Sequence, residues 1–278
     1  MSDNLFDIRS KVGLITGGAR GIGKACATAL ANAGVLIAIA DYDEEVGRRT
    51  VAEFEAKGHD ALFVRCDVTE AGQVAAMIQT VARHFGRLDI AVNNAGAYRH
   101  GLDEEQSQED WSHVVGINLT GAWLCAQAEM KQMIRQQPTE GKIINIASMM
   151  AHLGHSNAAY DASKAGLIRM TKTLAAQWGR YNINVNSISP GYVVEVFGNT
   201  RSEEQQQWLR AATPLGYVQR LKDLHGPLIF LASKASDYIT GQDILVDGGY
   251  ALSKQVLLRS PERTVPPRIS PEQEVENG

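Results

Sequence analysis

Cysteine is scarce and scattered: Cys26, Cys66 and Cys125 are the only three. No two of them have metal-ligand spacing, and an odd count makes a poor disulfide framework. They read as small buried thiols of a reducing compartment. An excess of either charge is also missing. The 27 Lys and Arg against 31 Asp and Glu give a formal net charge of -4, which leaves no basic surface for nucleic acid or anionic lipid. No apolar run approaches membrane-spanning length, and Asp3, Asp7, Arg9 and Lys11 break up the first segment, so no secretory leader is expected. No Cys, His, Asp or Glu cluster has ligand spacing, which argues against a metal site, and no repeat of solenoid period is found. These absences leave a cytoplasmic globular protein whose partner is a small molecule, with no nucleic-acid or membrane partner.

What is present fits one large α/β domain. The 278 residues are 44% hydrophobic and 21% charged, enough for a full core. Short apolar runs at Val12–Thr16, Val35–Ala40, Leu62–Cys66, Ile90–Asn93, Ile143–Ala147, Ile183–Ile188 and Ile244–Val246 read as strands. Most are β-branched and too uniformly apolar to leave one sheet face wet. Helix patterns lie between them. Ala71–Phe85 carries Ala75, Ile78, Val81, Ala82 and Phe85 on one stripe, with Thr69 as a candidate N-cap. The alternation predicts a single doubly wound, Rossmann-type domain over residues 1–253 with a mostly parallel seven-stranded sheet. Two long helices, Glu109–Gln136 and Ala158–Arg180, carry apolar residues beyond one stripe, Trp123, Leu124, Met130, Leu167, Ile168 and Trp178 among them. Such helices call for a partner besides their own sheet, and a subunit interface would supply it. From residue 254 to 278 prolines alternate with charges, as in Ser260-Pro261-Glu262-Arg263, and this tail offers little to bury.

The first strand runs into Thr16-Gly17-Gly18-Ala19-Arg20-Gly21-Ile22-Gly23. Gly17, Gly21 and Gly23 let backbone amides at the start of a helix approach a pyrophosphate, with Arg20 and Ile22 between them. The Gly-x-x-x-Gly-x-Gly spacing differs from the usual dinucleotide fingerprint, and alone it also suits a tight structural turn. Asp41 closes the second strand, where a carboxylate can accept bonds from ribose hydroxyls and repel a 2′-phosphate. NAD is therefore expected over NADP, although the Arg20 cation pulls the other way. Asp67 and Val68 end the third strand, where an adenine would lie. Asn93-Asn94-Ala95-Gly96 ends the fourth, at the topological switch point, and its asparagines either tie loops together or meet a ligand.

Tyr160-Asp161-Ala162-Ser163-Lys164 sets Tyr160 and Lys164 one helical turn apart. Ketone reduction by hydride needs a proton donor at the carbonyl oxygen, and the reverse reaction needs a base there. A free tyrosine, with a pKa of about 10, is a poor base at neutral pH. A neighbouring lysine cation favours the phenolate. By itself the pair is also what an amphipathic surface helix shows.

With these features in order, and with Asn118, Ser148 and Pro190-Gly191 between and after them, the sequence resembles the short-chain dehydrogenase/reductase family over about residues 9–250. The resemblance implies an NAD-dependent oxidoreductase, assembled as a homotetramer, that interconverts a secondary alcohol and a ketone. It makes Tyr160 the general acid/base and has Ser148 hold the substrate oxygen. Lys164 would bind the nicotinamide ribose, and Asn118 would hold a water of a proton relay. Asn94, Ala95 and Gly96, with Pro190, Gly191 and Val193, would line the cofactor. One position departs: Glu195 stands where the family often has a threonine that meets the nicotinamide amide.

A finer likeness, to the gluconate and deoxygluconate branch, rests on 142–149, 182–186 and 237–241 and implies a sugar acid or a polyol. Arg99, beyond the switch-point loop, is a candidate partner for a carboxylate. His152 and His155 are candidates for reading hydroxyls, while Glu195 in the pocket would oppose an anion. The alternatives are a reductase of 3-oxoacyl thioesters or small hydrophobic ketones, and a non-catalytic dinucleotide-binding protein.

Overall fold

A computed structural model describes residues 4–253, except for 102, 155–156 and 197–198. The expected tail at 254–278 lies outside the described residues. Seven strands make one sheet: β1 (Val12–Thr16), β2 (Leu36–Asp41), β3 (Ala61–Arg65), β4 (Ile90–Asn93), β5 (Gly141–Ile146), β6 (Ile183–Pro190) and β9 (Asp243–Val246). Their order is β3-β2-β1-β4-β5-β6-β9, and every pairing is parallel. Two short strands, β7 (Glu195–Val196) and β8 (Asn199–Thr200), form a separate antiparallel ribbon.

Strand alternation sends neighbouring residues to opposite faces. Ile15, Ile37, Ile39 and Ile144 pack on one side with α1 (Gly21–Asn32) and α8 (His225–Ala232). Leu14, Ala38, Ala91 and Ile143 pack on the other. That second layer holds α3 (Ala71–Phe85), α5 (Ala122–Arg135) and α6 (Ala158–Trp178). Both faces are covered, so the strands read as unbroken apolar runs. The remaining helices are α2 (Glu44–Glu55), α4 (Gln108–Val115), α7 (Glu203–Ala212) and α9 (Tyr250–Ser253).

Four helix expectations are corrected. The stripe of α3 runs through Val74, Met77, Ile78 and Val81, with Ala75 exposed, because the face centred on Val74 carries the bulkier side chains. Thr69 does not cap α3; its hydroxyl donates to Asp67 Oδ1 at 2.7 Å, and Glu70 takes the cap position. The long helix over 109–136 is interrupted by a π-helical turn, Gly116–Gly121, between α4 and α5. A Cβ on Gly121 would lie 2.7 Å from Val68 Cγ2, so glycine lets the helix pass this close to the end of β3. Helix α6 ends at Trp178, and a 3₁₀ turn, Gly179–Tyr181, takes the place of its expected last residues.

Between the sheet and α5 and α6 lies a buried polar chain. Asn93 Nδ2 donates to Glu129 Oε2 and to Asn145 Oδ1, both at 3.1 Å, and Asn145 Nδ2 donates to Thr171 Oγ1 at 2.8 Å. Burial raises the Glu129 carboxyl from 4.5 to about 8, against the lowering pull of the Asn93 bond. Folded Glu129 thus keeps a proton that the unfolded chain gives up, and stability falls as pH rises from about 4.5 to about 8. Glu129→Gln, neutral at every pH, should melt within a degree or so of wild type at pH 5 and several degrees higher at pH 9. Thermal melts across that range check this, and a constant offset would refute the assignment.

Candidate active site

The turn after β1 is built for close approach. Gly17 takes φ +60°, and a Cβ there would lie 2.9 Å from Ala95 Cα. Asn94 Nδ2 donates to Thr16 O and Gly17 O, each at 3.0 Å, while Thr16 Oγ1 accepts from the amides of Asn94 and Ala95 at 3.1 and 3.2 Å. Thr16 and Asn94 thus stitch the β1 and β4 loops together. Gly21, at φ +54°, opens on free space with nothing within 4 Å of a Cβ position.

The start of α1, like those of α3 and α8, carries no side-chain cap. Asp43, Ser107, Asn157 and Ser202 cap α2, α4, α6 and α7, whereas Arg20 gives α1 no side-chain cap and its first turn holds no acid. The amides at Gly21, Ile22 and Gly23 are left for an outside acceptor, at the positive end of the helix dipole. The donor set and the open space beside Gly21 suit a pyrophosphate.

Asp41 is buried; its Oδ2 accepts from the Ala19 amide and its Oδ1 from the Asp43 amide, both at 3.2 Å. The Arg20 guanidinium is bonded to Asp43 Oδ2 at 2.6 Å, so its charge already has an acid partner. Asp67 accepts from the Thr69 amide at 2.9 Å, and Val68 is buried beside it.

Ser148, Tyr160 and Lys164, the expected catalytic residues, meet at the carboxyl edge of β5. Ser148 follows that strand and caps the 3₁₀ turn Met149–His152, with its hydroxyl accepting from the Met150 amide at 3.2 Å. Tyr160 sits in the first turn of α6, which Asn157 caps. Burial pushes the Tyr160 phenol above its ordinary value, and a hydrogen bond with Ser148 pulls it part of the way back. Lys164 Nζ lies 5.8 Å from the Tyr160 ring centre and donates to Ile146 O at 2.8 Å. Its own burial draws it down to about 8. In the protein alone, desolvation therefore outweighs the Ser148 hydrogen bond at the phenol.

Asn118 lies in the π-helical turn and is buried, yet its amide is fully engaged. Oδ1 accepts from Ala97 N at 2.7 Å, and Nδ2 donates to Ala97 O at 3.0 Å and to Ser163 Oγ at 3.1 Å. Its side chain joins the β4 loop to α6. A Cβ on Gly96 would lie 3.4 Å from Asn118 Oδ1 and 3.7 Å from Lys164 Nζ, so these three residues crowd one corner. Gly191, just past the end of β6, donates its amide to Val246 O at 2.8 Å, and a Cβ on it would lie 2.8 Å from Asp247 Cα. Pro190 and Gly191 thus hold this loop against the turn after β9, and Val193 is buried in it.

The expected substrate contacts are placed differently. Arg99 is about half exposed, and its Nε lies 3.4 Å from Asp110 Oδ1 at the start of α4. His152 Nε2 lies 2.8 Å from Asp243 Oδ2, a carboxylate that also accepts from Ser187 and Ser189. Glu195 is exposed on the ribbon opposite Thr200. His155 lies outside the described residues.

Sequence reasoning missed the wall around Tyr160. The Tyr98 ring stands nearly edge-on to it, 5.4 Å between centres. Met149, Met150, Leu209, Val218 and Tyr250 form a cluster against which Tyr160 and Tyr192 pack. Tyr98 was within reach, two residues after Gly96 in the switch-point loop. Leu209 and Tyr250 gave no signal, since only the folded chain brings them here.

The chain is similar to known proteins over most of its length. The family model described as enoyl-(acyl carrier protein) reductase matches residues 17–251. The chain is 38% identical over 245 residues, 88% of its length and 98% of the relative, to the (2S)-[(R)-hydroxy(phenyl)methyl]succinyl-CoA dehydrogenase subunit BbsD of Thauera aromatica. It is 36% identical, over 89% of this chain and 98% of the relative, to the 2-dehydro-3-deoxy-D-gluconate 5-dehydrogenase of Dickeya dadantii. A crystal structure of a gluconate 5-dehydrogenase from Burkholderia cenocepacia, in complex with NADP and tartrate, superimposes with a TM-score of 0.84 at 37% identity, covering 90% of this chain and 98% of that one.

Removing the Asn118 amide would leave Ala97 N–H and Ser163 short of partners. Asn118→Ala should cost about 1–3 kcal/mol of stability, read as a lower midpoint in urea, and an unchanged midpoint would show that water replaces the amide without loss.

Proposed function

The chain belongs to the short-chain dehydrogenase/reductase family of oxidoreductases, and from that premise we propose that it is an NAD-dependent dehydrogenase with Tyr160 as its general acid/base. It interconverts a secondary alcohol and a ketone. The observation that carries this reading is the meeting of Ser148, Tyr160 and Lys164 past the carboxyl end of β5. Gly17, Gly21, Ile22, Gly23 and Asp41 would hold the adenosine and pyrophosphate end of the cofactor. Asn94, Ala95, Gly96, Lys164, Pro190, Gly191 and Val193 would flank its nicotinamide end. When bound, the nicotinamide accepts or gives the hydride.

Ser148 fixes the substrate oxygen beside the Tyr160 hydroxyl. In ketone reduction Tyr160 gives its phenolic proton to that oxygen, and in alcohol oxidation it takes the proton back. The raised phenol suits the donor role at neutral pH. Oxidation should therefore quicken with rising pH as the phenolate forms, and reduction should slow. Lys164 adds a positive charge that helps the phenolate while the lysine keeps its proton.

NAD is favoured because the buried Asp41 carboxylate opposes a 2′-phosphate while Arg20 is bonded to Asp43. For the substrate, likeness to the gluconate and deoxygluconate dehydrogenases supports a sugar acid or polyol. The wall of Tyr98, Met149, Met150 and Tyr192 favours a second reading, an apolar acyl or aryl ketone. A homotetramer is proposed through the α4–α5 and α6 faces, where Trp111 and Trp123 stay 43% and 42% exposed. A cytoplasmic location fits the three buried thiols, and no described helix is long and apolar enough to cross a membrane.

Tyr160→Phe should lower turnover by at least about a thousandfold while cofactor binding survives, and near-normal turnover would sink the mechanism. Lys164→Met should move the alkaline rise of oxidation upward by about one pH unit; an unshifted profile would remove its electrostatic role. Asp41→Asn, which keeps an acceptor for the Ala19 amide, should improve NADP relative to NAD in steady-state kinetics. A wild type that already prefers NADP would overturn this assignment. Light scattering at micromolar concentration should give four chain masses, and a monomer would refute the assembly.

A further inference from the structure

Arg201 follows the β7–β8 ribbon on the chain segment that leaves Pro190-Gly191. Its Nε donates to Val193 O at 2.8 Å, its backbone amide donates to Val194 O at 3.0 Å, and its guanidinium lies 5.1 Å from the centre of the Tyr192 ring. Tyr192 packs in the same cluster as Tyr160. Arg201 is thus stacked on the wall of the catalytic pocket and anchored by one of its nitrogens.

Its charge lacks an acid partner among the described residues. The nearest acid along the ribbon does not serve. Glu195 is the cross-strand partner of Thr200, so those two side chains share a face, and Arg201, one residue on, departs to the other. Half burial works against the cation, and among the described residues its electrostatic support comes from Tyr192. A partly desolvated guanidinium with its outer nitrogens uncommitted is built for a planar anion.

We propose that Arg201 is the specificity residue of this site and binds a carboxylate at the end of the substrate remote from the reacting alcohol. The inference rests on the dehydrogenase reading above for the identity of the pocket. It gives to Arg201 the role that sequence reasoning gave to Arg99, which is tied to Asp110. It also selects between substrate types: a hydroxy acid, whether its chain is polyhydroxylated or apolar, over a neutral polyol.

The test is calorimetric binding of D-gluconate, 3-hydroxybutyrate, D-glucitol and inorganic phosphate to the full chain, with and without NADH. Turnover with NAD is scored separately. Arg201→Gln keeps a donor for Val193 O and loses the charge; Arg201→Lys keeps the charge. At least one of the two carboxylates should bind wild type, weaken about tenfold or more in Arg201→Gln, and recover most of that loss in Arg201→Lys. D-glucitol and phosphate should not respond. The proposal is overturned if neither carboxylate binds, if Arg201→Gln leaves both unchanged, or if it weakens D-glucitol equally, which would mark a loop-holding role. Loss confined to phosphate would overturn it in favour of a phosphate site. Carboxylate binding that depends on Arg201 in a chain without turnover would uphold Arg201 and refute the dehydrogenase reading alone.

Discussion

The loops leaving β1 and β4 approach so closely that one side-chain amide, Asn94 Nδ2, donates to the carbonyls of both Thr16 and Gly17. Thr16 answers through its hydroxyl, which accepts from two amides of the β4 loop. This contact falls where strand order reverses, β2 lying on one side of β1 and β4 on the other. A crevice must open there at the carboxyl edge of a doubly wound sheet. The uncapped helix α1, the buried Asp41 and the catalytic edge of β5 take their relative places from it. A Cβ on Gly17 would push the two loops apart and widen the crevice.

Burial governs the chemistry on the other side of that crevice. Tyr160 is raised and Lys164 lowered for the same reason, loss of water around a charge. A lysine brought down to about 8 stays mostly charged at neutral pH and sits near its own titration in mildly alkaline solution. The same cost appears at Glu129, where no catalytic role is in view and the acid avoids it by staying protonated. The two results differ because the lysine starts at 10.5 and is still above neutrality at about 8, whereas the carboxyl starts at 4.5 and is carried across it.

The proposed substrate wall is assembled from elements far apart in sequence. The loop after β4 brings Tyr98, the turn after β5 brings Met149 and Met150, and the segment after β6 brings Tyr192 and Arg201. The first is held by hydrogen bonds to the start of α6, where Ala158 N donates to Asp103 and Asn157 donates to Arg99 O, and the second by the Ser148 hydroxyl, which accepts from the Met150 amide. The third is held by its own ribbon and by the parallel bridge between Val193 and Gln219. On the proposal above, an apolar wall with the Arg201 cation at its edge would favour a chain that is mostly carbon and ends in an acid.

The sequence by itself determined the sheet and its parallel sense, and it singled out the glycine turn and the candidates Ser148, Tyr160 and Lys164. Each is written locally, as a β-branched run, as glycines placed where backbone must turn, or as side chains one helical turn apart. Strand ends moved by one or two residues, because hydrogen-bond register rather than hydropathy sets where a ladder stops. The π-helical turn at Asn118 was not legible, since close passage of Gly121 by Val68 is a contact between distant segments. Arg99, His152 and Glu195 carried the right functional groups for a substrate site, and only the tertiary structure decided their fates. Asp110 and Asp243 claim the first two, and the ribbon turns the third outward. A side chain's charge is fixed by its residue type, but whether that charge is free to meet a ligand depends on which opposite charge the fold brings within hydrogen-bond reach.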